Sequence, residues 1–265
     1  MPHKGQVAPL NEEVGRLESL PQPVVAYGRD LAAGEILPWH HHKRAQLVYA
    51  STGVMNVSTP SATYVVPPQQ AVWVTGGIDH QIEARTSVAM RTVYVDTEAA
   101  TALPAQVCVL DVTPLLRELI VTAVDNGPSY DHDSPQGRIA GVILDQIREK
   151  PAASLTLPMP SEPRTLRLVQ GLLKDPADNR DLAVLASDVG ASKRTMTRIF
   201  PKETGLSFRD WRQRLKVHRA LELLVSGKSV TTTATELGYD NTSAFIAMFR
   251  RCLGVTPAQY LQRKG

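Results

Sequence analysis

Histidine and amide side chains lie close together in the segment GEILPWHHHKRAQLVYASTG, residues 34–53. If this segment is extended, successive side chains point to opposite faces, so that His40, His42 and Gln46 share one face and His41 lies on the other. Imidazole nitrogens are preferred ligands of zinc, copper, iron and nickel. The spacing therefore indicates a candidate site for a divalent transition metal.

Five residues of this segment have a spacing that resembles the first motif of the cupin proteins: Gly34, His40, His42, Gln46 and Gly53. Gln46 stands where cupins usually carry Glu. The stretch VVPPQQAVWVTGGIDH, which leads from Pro67 to His80, resembles the second cupin motif. The resemblance implies a small double-sheet barrel with four polar side chains in its mouth: His40, His42, Gln46 and His80. This set could bind a metal, line a pocket for an organic effector, or be the relic of a lost site.

A second group of candidate residues lies in a sequence repeat near the C-terminus. The segment LAVLASDVGASKRTMTRIFPKETGLSFRDW (182–211) is matched by VTTTATELGYDNTSAFIAMFRRCLGVTPAQY (230–260). Each copy predicts a short helix, a turn that contains Gly, and a second helix that begins at an N-capping Ser or Asn. This is the helix-turn-helix plan, whose second helix enters the major groove of DNA. Helical repeat arrays also contain such helix pairs, but two copies are too few for a self-supporting array.

In the first copy, the second helix has an apolar and a polar face. Met196 and Phe200 lie four residues apart and are expected to pack in the core. Arg194, Thr197 and Arg198 share another face, and an Arg side chain can bond the O6 and N7 atoms of guanine together. We therefore predict that these three residues read bases.

The second copy has lost both guanidinium groups from the corresponding face. Thr242 and Ser243 are expected to make small polar contacts, and Ala247 could contact a thymine methyl group. Arg250 and Arg251, farther along the helix, are predicted to bind phosphates. The two reading helices therefore differ in composition.

The segment SFRDWRQRLKVHRALELLVSG (207–227) predicts one continuous helix between the copies, because its apolar residues recur at helical spacing. A rigid connector fixes the distance between the readers, and about 34 Å, one turn of DNA, lets both use one face of the duplex. Pro201 predicts that the first reading helix ends or kinks there.

Residues 164–262 resemble the AraC/XylS family of bacterial transcription regulators. The matching stretches are LAxxxxxSxRxMxRxF at 185–200, ETGLSFxxW at 203–211 and GYDNTSAFxxMFRRxLGVTPxxY at 238–260. The resemblance implies a dimer whose N-terminal domain senses a signal, DNA contacts by Arg194, Thr197 and Arg198, and RNA polymerase as a partner of an activator. Ala247 departs from the pattern, because many relatives carry Arg there.

Charge is unevenly distributed along the chain. Residues 164–265 contain 18 Lys and Arg against 9 Asp and Glu, whereas residues 1–163 contain 11 against 17. A basic C-terminal part with an acidic remainder indicates that only the C-terminal part faces a polyanion such as double-stranded DNA.

Cysteine content and hydropathy predict the compartment. Cys108 and Cys252 fall in different predicted domains, which argues against a disulfide framework and fits a reducing cytosol. The chain has no apolar run of membrane-spanning length, and its first residues lack the core of a signal peptide. We therefore expect a soluble cytoplasmic protein with no membrane partner.

The fold class predicted from these patterns is α+β, with five segments in order. They are a flexible arm (1–22), a cupin-like sensor barrel (23–110), a helical dimerisation segment (111–150), a linker rich in Pro and Ser (151–163), and a double helix-turn-helix domain (164–265). The segments 114–125 and 134–150 predict two amphipathic helices, which could merely cap the barrel. The alternative is a dimer interface that includes Val142 and Ile143.

Together these features predict a sequence-specific transcription regulator, not an enzyme, that is a homodimer controlled by a small molecule or a metal. A metal-dependent cupin enzyme, such as a dioxygenase, would also explain the histidines, but two fused DNA readers have no role in that chemistry. An architectural DNA-binding protein would leave the acidic barrel unexplained.

Overall fold

The computed structural model describes residues 10–147 and 156–262, in which a β domain precedes a helical domain. The strands are β1 (Val24–Leu31), β2 (Ile36–His40), β3 (Ala45–Thr52), β4 (Met55–Ser58), β5 (Ala62–Val66), β6 (Gln70–Val74), β7 (His80–Ala84), β8 (Val88–Val95), β9 (Cys108–Asp111) and β10 (Leu157–Pro158). The helices are α1 (Leu10–Glu18), α2 (Pro114–Asp125), α3 (Pro135–Ile147), α4 (Pro163–Lys174), α5 (Leu182–Asp188), α6 (Lys193–Thr204), α7 (Phe208–Val225), α8 (Val230–Glu236), α9 (Thr242–Leu253) and α10 (Pro257–Gln262).

The strands form two five-stranded antiparallel sheets, in the orders β1-β8-β3-β6-β9 and β10-β5-β4-β7-β2. Val48 and Met90 of the first sheet share one apolar core with Met55 and Ile82 of the second. The alternation of inward and outward residues along short β-branched runs is the reason that these segments form strands. The predicted α+β class, with a β-rich domain before a helical one, is confirmed.

Helices α2 and α3 cover the outer face of the first sheet. Ile120 and Ile143 are fully buried there, in an apolar core that includes residues of β3 and β6. The prediction of Ile143 as a dimer contact is therefore wrong, because the apolar stripe of α3 faces the sheet. Val142 and Leu115 remain on the outside, 40% and 54% exposed. Residues 148–150 of the predicted dimerisation segment lie outside the described residues.

Helix α1 corrects the prediction of a flexible arm over residues 1–22, of which residues 1–9 lie outside the described part. Val14 and Leu17, three residues apart, are buried on one face of this helix, and Leu17 packs against Val25 and Tyr94. The Glu18 carboxylate accepts a hydrogen bond from the backbone N–H of Lys43. The apolar face of this helix thus packs on the first sheet.

Strand β10 lies within the predicted linker 151–163, of which residues 151–155 are not described. Leu157 and Pro158 pair with Thr63 and Ala62 of β5, and the N–H of Met159 donates to the Ser61 carbonyl over 2.9 Å. The linker therefore adds a short edge strand to the second sheet. Because of this pairing, the predicted linker is not unattached over its whole length.

The helical domain contains two helix-turn-helix modules, formed by α5 with α6 and by α8 with α9. The predicted caps are present, because Ser192 Oγ accepts from the Thr195 N–H and Asn241 Oδ1 from the Ala244 N–H. The continuous connecting helix is confirmed as α7, which is 18 residues long.

Helix α6 continues through Pro201 to Thr204, so of the two predicted outcomes, an end or a kink at this proline, the structure excludes the end. A proline removes one helical hydrogen bond, but the buried Phe200 and Thr204 hold the turns on either side. The Thr204 hydroxyl also donates to the Phe200 carbonyl over 2.8 Å. Tertiary packing thus outweighs the local proline preference.

The second helix-turn-helix module packs on the outer face of the second sheet. Val54 and Val65 of the β domain belong to the same apolar core as the buried residues of α7 to α10. Arg85 Nε donates to Glu222 Oε1 over 2.9 Å, and the Glu222 side chain is 6% exposed. The two domains therefore share an interface.

Candidate DNA-binding surface and metal site

Helix α6 presents the three predicted base-reading residues to solvent. Arg194, Thr197 and Arg198 are exposed, whereas Met196 and Phe200 on the other face are fully buried. The Thr197 hydroxyl donates to the Lys193 carbonyl over 2.9 Å. The Thr197 oxygen is therefore left as an acceptor, whereas the two guanidinium groups are donors.

Helix α9 exposes a less polar face. Ser243, Ala247, Arg250 and Arg251 are exposed, and Thr242, the first residue of the helix, is half-buried. Four of these side chains line one open hollow on the second module, together with Ile246 and Thr256. The two arginines lie in the last turn, so the exposed face of Ser243 and Ala247, which has no guanidinium, is followed by two cations.

The structure brings together all four residues predicted for the barrel mouth. One ring nitrogen each of His40, His42 and His80 lie within 4.8 Å of one another. Gln46 Oε1 lies 3.0 Å from His42 Nε2 and 3.1 Å from His80 Nε2. We call these four residues the histidine cluster.

The route by which the chain forms the histidine cluster differs from the prediction. His40 ends β2 in the second sheet, His42 lies in the following loop, and Gln46 belongs to β3 in the first sheet. The assignment of these residues to one face of a single strand is therefore wrong, because the chain crosses between the sheets here. His41 points away from the cluster to Asp79, at 2.9 Å.

Backbone carbonyls orient all three imidazole rings. The Nδ1 atoms of His40, His42 and His80 lie 2.8, 2.5 and 2.9 Å from the carbonyl oxygens of Pro38, Arg44 and Ile78. A neutral imidazole that donates through Nδ1 has a lone pair on Nε2. This is the arrangement by which proteins orient histidine ligands around a metal.

The two contacts of the Gln46 amide oxygen restrict what can occupy the cluster. An amide oxygen cannot bond to two Nε2 lone pairs, since neither partner has a proton to donate. A cation between these atoms would satisfy all of them. The alternative is a rotated amide whose NH2 group donates to both rings. Its oxygen would then lie against the Thr92 hydroxyl, which would have to turn its one proton from the Leu47 carbonyl, 2.9 Å away, to the amide.

Burial keeps the rings neutral. Desolvation is the main cause that lowers the pKa of each of the three histidines, and the pKa of His80 falls to about 3. Neutral imidazole is the form that binds a metal. Nitrogen ligands lie about 2.0–2.1 Å from zinc, so two of them are at most about 4.2 Å apart. Separations of up to 4.8 Å between the histidine nitrogens have to shorten slightly, and the donor set otherwise fits a transition metal.

Two residues near the cluster were missed by the sequence reasoning. Thr92 holds the Gln46 amide, and the Tyr94 ring lies 5.1 Å from the His42 ring, centroid to centroid. Both lie on β8, outside the recognised motifs, and only their inward position in an alternating strand could have pointed to them.

The two glycines of the first cupin-like motif allow backbone turns that other residues do not adopt easily. Gly34 and Gly53 adopt φ angles of +83° and +85°, and a Cβ atom at Gly53 would lie 2.2 Å from the Ser87 carbonyl oxygen. Only glycine suits such turns. Their spacing thus follows from the barrel's turns, whether or not a metal binds.

Among the described residues, no helix has both the length and the apolar character that a membrane span requires.

The fold and these two sites define a transcription regulator with a helix-turn-helix DNA-binding domain and a ligand-binding domain. Residues 22–145 match the AraC-like ligand binding domain, and residues 185–263 match a helix-turn-helix domain. The HTH-type transcriptional regulator NimR of Escherichia coli (strain K12) is 36% identical over 226 residues, which cover 85% of this chain and 82% of NimR. The chain therefore belongs to the AraC family of transcription regulators.

Shorter matches concern one part of the chain. The HTH-type transcriptional regulator RipA of Corynebacterium glutamicum is 36% identical over 105 residues, 40% of this chain and 32% of RipA. A crystal structure of the DNA-binding domain of AdpA in complex with a target DNA is 33% identical, covers 38% of this chain and 90% of that chain, and has a TM-score of 0.35.

Proposed function

We propose that this regulator reads its operator mainly through α6 and uses α9 as a weaker second reader. The observation that carries this proposal is the exposure of Arg194, Thr197 and Arg198 on one face of a helix whose opposite face is buried. Each well-placed Arg–guanine pair discriminates against the wrong base by about 1–3 kcal/mol. On α9, Thr242, Ser243 and Ala247 supply smaller contacts, and Arg250 and Arg251 bind phosphates.

Footprinting on DNA selected from a random pool tests this assignment. Two protected segments in successive major grooves are expected, with base preferences concentrated under α6. Arg198→Ala should relax the preference at one base pair, and Arg250→Ala should weaken binding to all sequences alike. Unchanged binding by both variants would show that these helices are not the readers.

We further propose that the histidine cluster binds one divalent transition metal. The observation that carries this proposal is the convergence of three Nε2 lone pairs, with every Nδ1 atom held by a backbone carbonyl. Zinc, nickel, copper or iron suits imidazole ligands. Bound there, the metal would link both sheets, since Gln46 lies in β3 of the first sheet and His40 and His80 lie in β2 and β7 of the second.

Metal analysis of the purified protein tests the site. One equivalent of metal is expected in the wild type and in His41→Ala, because His41 points to Asp79, but not in His42→Ala. Cobalt titration gives a second readout, since its absorption bands report the ligand geometry. A cluster that binds no metal while the effector response persists would leave the alternative of a polar pocket with a rotated Gln46 amide.

Membership of the family also supports a proposal about assembly and cellular context. We propose a cytoplasmic homodimer that acts as a regulator and not as an enzyme, with RNA polymerase as a partner if it activates. Leu115 and Val142, the exposed apolar residues on α2 and α3, suit a dimer contact. Val142→Glu should give a folded monomer in sedimentation, whereas Ile143→Glu should unfold the β domain.

A further inference from the structure

A groove lies between the two helix-turn-helix modules. Its lining includes Lys193, the first residue of α6, and Tyr239, which lies two residues before Asn241, the N-cap of α9. The groove therefore lies between the first turn of α6 and the turn that precedes α9. We call it the central groove.

The central groove is strongly basic. Four cationic side chains line it, against one carboxylate, that of Asp181: Lys193, Arg209, Arg212 and Lys216. Asp181 lies 3.5 Å from Lys193 Nζ, and both side chains are about 60% exposed, so this pair is largely screened by solvent. The remaining three cations leave the groove with an excess of positive charge.

The two arginines that line the central groove, both on α7, are available for an anion. Arg209 is exposed and makes no hydrogen bond or ion pair within the described residues. Arg212 is held in place, because its Nη1 donates to the Arg180 carbonyl over 2.9 Å and its guanidinium carbon lies 5.1 Å from the centre of the Phe208 ring. The other N–H groups of Arg212 do not donate to the Arg180 carbonyl and can therefore donate to an anion.

The fourth cation of the central groove, Lys216, is buried. Its ammonium group donates to the Leu237 carbonyl over 2.8 Å. Burial, and then the charge of Arg212, lower the pKa of Lys216 to about 8. A bound anion would offset the repulsion between these two cations.

The position of the groove indicates which anion. In helix-turn-helix proteins the N-terminal residues of the reading helix approach the base edges. A groove between two such helix ends faces the stretch of duplex between two successive major grooves. Duplex DNA presents phosphates there at close spacing, about one charge per 1.7 Å of axis.

We propose that the central groove binds the DNA phosphates between the two major grooves, with Arg209 and Arg212 as their ligands. This rests on the proposed reading of DNA by α6 and α9, and it adds a sequence-independent contact between them. It would hold both modules against one face of the duplex.

The salt dependence of binding by the full-length protein tests this proposal. Affinity for an operator duplex and for a random duplex is measured by fluorescence anisotropy between 50 and 200 mM salt. Arg209→Ala and Arg212→Met each remove one phosphate contact, so each should make the slope of log K against log salt less steep by about 0.9. The affinity lost over this range should then shrink by about 3.5-fold per substitution, equally on both duplexes.

Matched variants separate charge from structure. Arg209→Lys keeps the charge and should keep the wild-type slope. Arg138→Ala removes an exposed cation from α3, which packs on the first sheet and not on the second, and should change nothing. Arg212→Met keeps an apolar stem against Phe208, and its thermal melt checks folding.

Arg198→Ala, measured in the same titrations, separates the two proposals. If it loses operator preference while Arg209→Ala and Arg212→Met keep the wild-type slope, the central groove does not bind phosphates. If Arg198→Ala also binds as wild type, the reading by α6 is wrong, and the groove proposal falls with it.

Discussion

The two helix-turn-helix modules are built from the same local elements and placed in different surroundings. Each has a capped reading helix, with Ser192 or Asn241 at its start and a left-handed glycine, Gly205 or Gly254, at its end. The core of the first module includes Leu157 of the linker strand, whereas that of the second includes Val54 and Val65 of the β domain.

This difference in packing accompanies a difference in the reading faces. The first module carries two guanidinium groups on the exposed face of α6 and packs against β10, the edge strand of the second sheet. The second has no guanidinium on the corresponding face, and the helices packed with it, α7 and α10, bond to the barrel. Glu222 of α7 accepts from Arg85, and the Tyr260 hydroxyl of α10 donates to Gln69 over 2.9 Å. We infer a division of labour, in which the first module supplies sequence discrimination and the second connects the DNA to the sensor domain.

The largest expected effect comes from the matching core aromatics. Phe200 and Phe249 are both fully buried, so Phe200→Ala and Phe249→Ala should each lower the free energy of unfolding by about 3–5 kcal/mol. Urea denaturation, followed by circular dichroism of the helices, measures this loss. A clearly smaller loss at Phe249 would mean that contact with the barrel compensates in the second module.

The ion pair between the domains should have the next largest effect. Arg85→Ala leaves the buried Glu222 carboxylate with only Arg219, at 2.7 Å, as a charged partner, and should cost about 1–3 kcal/mol. Hydrogen exchange should show reduced protection at β10 and along α7. As a control, Arg91→Ala breaks the exposed pair with Asp30 on the first sheet and should cost less than about 1 kcal/mol. Equal effects of both substitutions would argue against a specific interdomain contact.

The asymmetry of the reading faces can be tested in both directions. Arg198→Ala should cost about 1–3 kcal/mol of operator affinity, whereas base substitutions under α9 should matter less than those under α6, except for replacement of a thymine. Ala247→Arg should create a new guanine preference under α9. A base-substitution series that shows equal losses under both helices in the wild type would refute the division of labour.

The smallest expected effects are equal in the two modules. Ser192→Ala and Asn241→Ala each remove one N-cap bond, 3.1 Å and 2.8 Å long, and should each cost about 1 kcal/mol of stability. Thermal melting measures both. Different costs would show that the surroundings, and not the shared local elements, set the stability of each helix start.

Much of the helical domain could be predicted from the sequence, because its determinants are local. Caps, left-handed glycines and apolar residues at helical spacing act within a few residues of one another, and a repeat shows them twice. The members of the histidine cluster were also predictable, through motif resemblance. Their arrangement was not, since His40 and Gln46 lie in different sheets and His80 is 34 positions away from Gln46 in the chain.

The sequence by itself thus determined the composition of each module and of the cluster. Only the tertiary structure decided that α1 docks on the barrel, that α6 continues through Pro201, that Ile143 faces the sheet, and that Arg85 meets Glu222. These outcomes depend on contacts between residues far apart in the chain, such as the 137 positions that separate Arg85 from Glu222. Local preferences of about 1–3 kcal/mol, such as that of proline, yield when several buried side chains pack against one helix.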